Sequence, residues 1–328
     1  MNHKAAESKV DYRALIAASI TVVLWASAFV SIRASAKYFG PGDLALGRLL
    51  TASAVLGVVL IVKRVPVPPR QAWPGILASG LLWFGLYMVV LNWGEKLVDA
   101  GTAAMVVNIG PIVIALLSGW LLKEGFPRML LAGMAVSFVG AVVVGLSTSS
   151  GGSSSVGGVL LCLTAALAYG AGVVLQKPAL SYASPIQVTA YSCFVGAAAT
   201  LPFAWQLLDQ LGDAPARATL NVVYLGLFPT ALAFSTWAYA LSRTTAGKLG
   251  ATTYAVPAIV VLIAWLVLGE VPGWLTLLGG AICLAGVAVS RRRPAAAGVA
   301  TATAATATEP TAPPLSPEDD RRGVPAND

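Results

Sequence analysis

The chain has little charge and few of the residues that build common catalytic and metal sites. Charged residues make up 11% of its 328 residues, against about 25% in a typical soluble domain. Its one histidine is His3, in the N-terminal tail, and its three cysteines, Cys162, Cys193 and Cys283, each lie inside an apolar run. This pattern excludes histidine-based triads and Cys/His metal centres, so we expect no metal and no cofactor. The low charge also argues against a soluble globular domain.

The positive charge does not indicate nucleic acid binding. The net charge is +7, but the 21 Lys and Arg residues are mostly single residues between long apolar runs. A membrane-spanning helix needs about 20 apolar residues. Ten such runs are present: 14–33, 43–62, 72–91, 102–122, 128–146, 157–177, 187–207, 219–241, 248–268 and 273–290. The sequence therefore predicts an all-α polytopic bundle of ten transmembrane helices, with the lipid bilayer as its surroundings.

The connecting segments predict the domain organisation and the orientation. A tail, 1–12, precedes a first half, 13–146; a Ser/Thr/Gly-rich flexible linker, 147–156, leads to a second half, 157–290. The tail 291–328 is rich in Ala, Thr and Pro, and we expect it to be disordered. Lys and Arg concentrate in the segments that share a side with the N-terminus, which predicts a cell membrane protein with both termini in the cytoplasm.

The two halves resemble each other in sequence. A shift of 146 positions aligns Pro111 with Pro257, Glu124 with Glu270, Gly133 with Gly279 and Gly140 with Gly286, and a shift of 144 aligns Trp25 with Tyr169 and Arg33 with Lys177. Each half holds five runs, and an odd number makes the second copy enter the membrane from the opposite side. Inverted repeats are typical of secondary transporters, with the site near the midplane. Channels and some membrane enzymes also carry repeats.

The repeated pattern resembles the EamA-type family of the drug/metabolite transporter superfamily. It is carried by the stretch from Pro111 to Glu124 with Gly133 and Gly140, and by its copy from Pro257 to Glu270 with Gly279 and Gly286. Trp25 and Arg48 also lie where this family often has an aromatic residue and an arginine. The resemblance covers residues 13–290 and implies a ten-helix bundle that moves small metabolites, often by export. Members handle amino acids, nucleosides, sugar conjugates and other solutes.

The paired prolines lie near the middle of their predicted spans. Proline cannot donate a backbone hydrogen bond, so Pro111 and Pro257 should break their helices and free carbonyls such as that of Thr253. One turn earlier stand Asn108 and Tyr254, which we take as candidate substrate-binding residues lining a cavity. The alternative is a kinked packing helix, with Asn108 bonded to the backbone of a neighbour.

Aromatic side chains inside the runs are further candidates for substrate binding: Trp25, Tyr87, Tyr169 and Trp237. Such side chains can stack on an apolar or flat solute and offer a hydrogen bond. The alternative is that they pack against lipid or neighbouring helices.

Three cations are possible contacts for a charged group of the substrate: Arg33, Arg48 and Lys177. A charge at the centre of a bilayer costs about 2.5–3.5 kcal/mol, but all three lie close enough to span ends to reach water instead. Acidic residues near the spans, such as Asp43 and Glu124, are expected in interfacial water. Because no carboxylate lies deep in a run, we expect transport to follow the solute gradient or to use an ion other than the proton.

Taken together, the sequence predicts a secondary transporter, not an enzyme, that exports small amino-acid-like solutes by alternating access. A membrane-embedded enzyme and a non-transporting scaffold are the alternatives. The first lacks a histidine cluster, a deep carboxylate or a nucleophile–base pair, and the second does not need paired prolines with polar neighbours. Small residues on one helix face, at 133, 137 and 140 and their copies, favour helix packing and are also compatible with a homodimer contact.

Overall fold

A computed structural model describes residues 11–97, 106–148, 155–268 and 273–290, and every regular element in these ranges is a helix. The helices of the first half are α1 (Tyr12–Ser35), α2 (Pro41–Val62), α3 (Trp73–Ser79), a π-helix π1 (Gly80–Leu86), α4 (Tyr87–Leu97), α5 (Gly110–Leu121) and α6 (Arg128–Thr148). The second half contains α7 (Val156–Ala179), α8 (Pro185–Thr200), α9 (Ala204–Asp213), α10 (Ala216–Leu225), the π-helix π2 (Gly226–Leu232), α11 (Ala233–Leu241), α12 (Ala246–Thr252), α13 (Ala255–Leu268) and α14 (Trp274–Ser290). Short 3-10 turns precede α3 and α9.

Six helical stretches in the described ranges are long and apolar enough to cross a membrane: Pro41–Val62, Arg70–Leu97, Arg128–Ser147, Val156–Ala179, Pro185–Asp213 and Ala216–Leu241. The apolar helices Tyr12–Ala28, Gly110–Leu121 and Trp274–Ser290 are shorter. The prediction of an all-helical protein with several membrane spans is confirmed. The count of ten spans and the division into two repeats stay predictions. The N-terminal tail, the middle of the linker and the C-terminal tail lie outside the described residues.

Helices α6 and α14 pack against each other along their small-residue faces. A Cβ atom added at Gly133 would lie 2.6 Å from the carbonyl oxygen of Gly286, so the two backbones touch. The Ser137 hydroxyl donates to the Cys283 carbonyl at 3.0 Å, and the Cys283 thiol donates back to the Ser137 carbonyl at 3.5 Å. The small-residue face therefore packs helices within the chain, as predicted, and a homodimer stays a prediction.

Two π-helices interrupt the spans in equivalent places. They begin at Gly80 and Gly226, which are 146 positions apart. Both glycines allow a close approach, since an added Cβ would lie 2.8 Å from the Ser192 carbonyl oxygen or 2.7 Å from that of Arg48. π-helical turns are rare in proteins, and those that occur are frequently found at functional sites. Here they carry Trp83 and Thr230, which both belong to the candidate site described next.

Candidate functional site

Both helix breaks predicted from the prolines are present. The chain forms a turn at residues 108–109 before α5 begins, and at residues 253–254 between α12 and α13. Pro111 is the second residue of α5 and Pro257 the third of α13. The Thr253 carbonyl, however, accepts the Val256 N–H at 2.9 Å. The expectation that this carbonyl is free is wrong, because a tighter turn replaces the bond that Pro257 cannot make.

Asn108 and Tyr254 lie together, as the repeat predicts. Tyr254 is fully buried, and its hydroxyl donates to the Asn108 carbonyl at 3.0 Å. The contact thus joins the two broken helices and uses the backbone of Asn108. Because the Tyr254 hydroxyl is engaged in this bond, the residue holds the two breaks together in this structure. A substrate contact of either residue stays a prediction.

Four predicted aromatic residues belong to one cluster near the middle of the bundle. We define the aromatic cluster as Trp25, Trp83, Tyr87, Tyr169, Phe234 and Trp237, contributed by α1, π1, α4, α7 and α11. Its ring centroids are 5.0 Å apart for Trp25 and Trp237, 4.6 Å for Trp83 and Phe234, and 5.7 Å for Tyr87 and Tyr169. Trp83 and Trp237 are almost completely buried. The cluster forms an apolar centre between elements of both halves.

The cluster also holds buried donors without a partner. The indole N–H groups of Trp25 and Trp237 make no hydrogen bond with the residues that the structure describes. The Tyr169 hydroxyl is directed at the Thr253 hydroxyl, which donates to the Gly250 carbonyl at 2.7 Å and can accept from Tyr169. Since buried polar groups are normally hydrogen-bonded, the two indole donors beside one apolar centre suit a ligand that carries acceptor atoms.

Arg48 is buried beside this centre, with 6% of its surface exposed. Its Nε donates to the hydroxyl oxygen of Thr230 at 3.0 Å, and the Thr230 hydroxyl donates to the Leu225 carbonyl at 2.8 Å within π2. The Glu95 carboxylate acts electrostatically on the Arg48 guanidinium, whereas the ion pairs Lys177–Glu124 and Arg243–Asp11 do not include Arg48. The prediction that Arg48 reaches water at a span end does not hold in this fold. A buried guanidinium whose direct hydrogen bond is to an uncharged hydroxyl can bind an anionic group of a ligand.

Lys177 is held by a different set of groups. Its ammonium forms an ion pair with the Glu124 carboxylate at 2.9 Å and donates to the Thr244 carbonyl. The same carboxylate accepts the backbone N–H groups of Ala246 at 2.9 Å and Gly247 at 3.2 Å, at the start of α12. We call this arrangement of Glu124, Lys177 and the backbone of 244–247 the lock. It joins the loop after α5 to the end of α7 and the start of α12.

The lock corrects the prediction for Glu124. Its side chain is only 10% exposed and does not lie in open interfacial water. Burial alone would raise the pKa of the Glu124 carboxyl, but the Ala246 N–H and the Lys177 ammonium outweigh burial and lower the pKa below its ordinary value. Glu124 therefore stays ionised at neutral pH. Asp43, also expected in interfacial water, is 4% exposed and lies against Gly40.

A second, weaker contact holds the same loop. Arg243 pairs with Asp11 at 3.2 Å, and both side chains are more than a third exposed. Asp11 also accepts the backbone N–H groups of Arg13 and Ala14 at the start of α1. The loop between α11 and α12 is thus fixed from two sides. The side chain of the third predicted cation, Arg33, lies outside the part of the chain that the structure describes, so its role stays a prediction.

The described residues form an all-helical bundle with several membrane spans, two broken helices and a buried cation beside an aromatic centre, which are features of a multi-pass membrane transporter. The EamA-like transporter family model matches residues 12–146 and again 156–292, and the chain belongs to this family. A protein from Streptantibioticus cattleyicolor, named a probable terminal-alkyne amino-acid exporter, is 35% identical over 86% of this chain and 94% of its own length. An uncharacterized transporter of Bacillus subtilis, YdfC, is 33% identical over 85% and 91%.

A solved crystal structure has the same fold. It matches with a TM-score of 0.71 at 24% identity and covers 85% of this chain and 96% of the other chain. Because the match spans nearly the full length of both proteins, the helical arrangement described above is that of a known fold. At this identity the likeness concerns the fold alone.

Proposed function

We propose that the protein is a secondary transporter that exports small amino-acid-like solutes and does not convert them chemically. The observation that carries the proposal is Arg48, a buried guanidinium that donates to the uncharged hydroxyl of Thr230 and lies near Tyr87 of the aromatic cluster. An amino acid carries a carboxylate for the guanidinium and a stem that can lie against aromatic rings. The name of the relative from Streptantibioticus cattleyicolor supports the same solute class.

The proposed architecture is ten spans in two inverted five-helix repeats. Its support is that equivalent residues touch: Ser137 and Cys283 exchange hydrogen bonds, and Tyr254 binds Asn108, each pair 146 positions apart. A residue meets its own copy only on or near a twofold axis, as in a symmetric dimer interface. Because each proposed unit has an odd number of spans, the second unit enters the membrane from the opposite side, and the twofold axis then lies in the membrane plane.

Alternating access would then rock one repeat against the other around the aromatic cluster. The lock supplies a candidate closed state for one end of the path, because Glu124 belongs to the first repeat while Lys177 and Ala246 belong to the second. To open this end, the Lys177 ammonium and the N–H groups of Ala246 and Gly247 must separate from the Glu124 carboxylate. The breaks before α5 and α13 provide places where the halves of these helices can change their relative angle.

We also propose that both termini, and with them the lock, face the cytoplasm of a cell membrane. A cysteine placed at position 150 would then be outside, and the native Cys162, Cys193 and Cys283 are buried and should react slowly. We expect Ser150→Cys to react with a membrane-impermeant maleimide in intact cells. Reaction only after permeabilisation would reverse the orientation.

Transport by the purified protein in proteoliposomes tests the function. We expect saturable movement of an apolar amino acid such as L-norleucine, and its recovery unchanged by mass spectrometry. Replacing Trp237 by alanine should raise KM about tenfold or more, because the stem loses its aromatic contacts. An exposed tryptophan, Trp205, is 82% exposed, and Trp205→Ala is the matched control with wild-type KM. No transport of any amino acid, or a chemically altered product, would contradict the proposal.

A further inference from the structure

Gln176 is a buried glutamine without hydrogen bonds to the described residues. It lies in α7, its exposed fraction is 0%, and both Nε2 and Oε1 of its side-chain amide lack a partner. Gln187 is also buried, but its amide is fully used: Nε2 donates to the Pro66 carbonyl at 2.8 Å, and Oε1 accepts the Ser184 N–H at 2.8 Å. Gln187, which serves packing, therefore has hydrogen-bond partners for its amide, whereas Gln176 does not.

The position of Gln176 on α7 directs it toward the aromatic cluster. It follows Tyr169 by seven residues and Gly172 by four, and such residues share a face of a helix. Tyr169 belongs to the cluster, and a Cβ atom added at Gly172 would lie 2.7 Å from the Cβ of Trp83. Gln176 also directly precedes Lys177 of the lock. It therefore lies between the lock and the aromatic cluster.

Arg48 lies near Tyr87, another member of the cluster. Its partner Thr230 is eleven residues before the end of α11, which is about 16 Å at 1.5 Å per residue, whereas Gln176 is three residues, about 5 Å, from the end of α7. The ends of α7 and α11 lie near each other, because Lys177, close to the end of α7, donates to the Thr244 carbonyl just after α11. By helix rise, Thr230, the partner of Arg48, lies about 10 Å farther from these helix ends than Gln176 does.

We propose that Gln176 is a specificity-determining residue that hydrogen-bonds an uncharged polar group at the end of the solute remote from its carboxylate. This inference rests on the proposed transport of amino-acid-like solutes. A buried amide without a partner is unfavourable, and a leucine of similar size would avoid that cost, so the amide needs a partner that arrives with the solute. Because the amide offers one acceptor and two donors but no charge, it suits a hydroxyl or amide and disfavours an ammonium group.

Three solutes of equal length test this assignment in proteoliposomes: L-norleucine, L-5-hydroxynorvaline and L-ornithine, which end in a methyl, a hydroxyl and an ammonium group. We expect Gln176→Leu to raise KM for hydroxynorvaline about tenfold, to leave KM for norleucine nearly unchanged and to keep or raise the melting temperature. Gln176→Glu should lower the KM of ornithine relative to that of norleucine about tenfold. Gln187→Leu is the matched control, with a lower melting temperature and unchanged relative KM values.

The outcomes separate this inference from the proposed function. If the wild-type protein transports norleucine but Gln176→Leu has wild-type KM values for all three solutes, the amide binds only water or protein groups, and the inference is wrong while the function stands. If the wild-type protein transports no amino acid, both are wrong; if it transports other amino acids but none of these three, only the inference is wrong. A fall in melting temperature for Gln176→Leu like that of Gln187→Leu, without a change in relative KM values, would make Gln176 a packing residue.

Discussion

Glu124→Gln is expected to reduce the turnover of transport at least tenfold while leaving the protein folded. The neutral amide cannot form the ion pair with Lys177, and it offers one oxygen where the carboxylate offers two to the N–H groups of Ala246 and Gly247. Hydrogen bonds to charged groups contribute about 1.5–3 kcal/mol each. Losing even one of them shifts the equilibrium between locked and open states by tenfold or more. A transporter that cannot close one end completes its cycle slowly.

Accessibility measures the same step directly. Val173 lies one turn before Lys177 in α7 and is fully buried. Val173→Cys should resist alkylation in the wild-type background and react at least tenfold faster together with Glu124→Gln. The control is Asp11→Asn, which removes the exposed pair with Arg243, and exposed pairs contribute only about 0–1 kcal/mol. Equal effects of the two substitutions on the alkylation rate would show that Glu124 contributes no more than an exposed ion pair and does not keep this end of the path closed.

The reversed pair Glu124→Lys with Lys177→Glu distinguishes the ion pair from the helix contact. It restores the opposite charges but places an ammonium group next to the N–H groups of Ala246 and Gly247, which need an acceptor. We therefore expect partial rescue of transport. Full rescue would assign the whole effect to the ion pair.

The lowered pKa of Glu124 also fixes the pH range of the lock. The carboxylate is stabilised in the locked state, so the lock is intact above the ordinary carboxyl pKa and weakens only as the pH falls through the lowered value. Alkylation of Val173→Cys should accordingly be constant from pH 8 to about pH 5 and rise at lower pH. A proton gradient near neutral pH would not act through Glu124.

The helix breaks could be predicted from the sequence because their cause is local. Proline removes a backbone donor wherever it stands, and the repeat at 146 positions places Pro111 and Pro257 in matching helices. The meeting of Asn108 with Tyr254 follows from the same repeat, since equivalent positions meet on an axis. The hydrogen bond that the Thr253 carbonyl accepts could not be predicted, because a three-residue turn and a four-residue turn are equally compatible with the sequence before Pro257.

The polar contacts of the site could not be predicted because they join distant segments. Glu124 and Lys177 are 53 positions apart in the sequence, and Arg48 and Thr230 are 182 positions apart. The sequence around each charged residue resembles the ordinary end of a membrane span. No local pattern indicates the π-helices, although they place Thr230 beside Arg48. Gln176 gives the clearest missed signal: an uncharged polar residue inside an apolar run, next to a cation.

Arg48→Met is expected to raise KM for L-norleucine about a hundredfold. Methionine keeps an unbranched apolar stem but removes the charge and all donors, so the solute carboxylate loses charge-assisted hydrogen bonds of about 1.5–3 kcal/mol each. The melting temperature should change little, because the variant removes the cost of burying the charge together with its interactions with Thr230 and Glu95. Arg48→Lys keeps the charge without the planar fork and should have an intermediate KM.

The carboxylate itself can be removed as a second test of Arg48. n-Pentylamine has the ammonium group and apolar stem of norleucine but no carboxylate, so its KM should be high in the wild-type protein and should not rise further in Arg48→Met. Thr230→Val separates charge from orientation: it keeps the guanidinium but removes the hydroxyl oxygen that accepts from Nε at 3.0 Å, so a rise in KM of about tenfold or less is expected. If Arg48→Met leaves the ratio of the two KM values at its wild-type level, Arg48 does not bind the carboxylate, and the buried guanidinium serves only to fix π2 against α2.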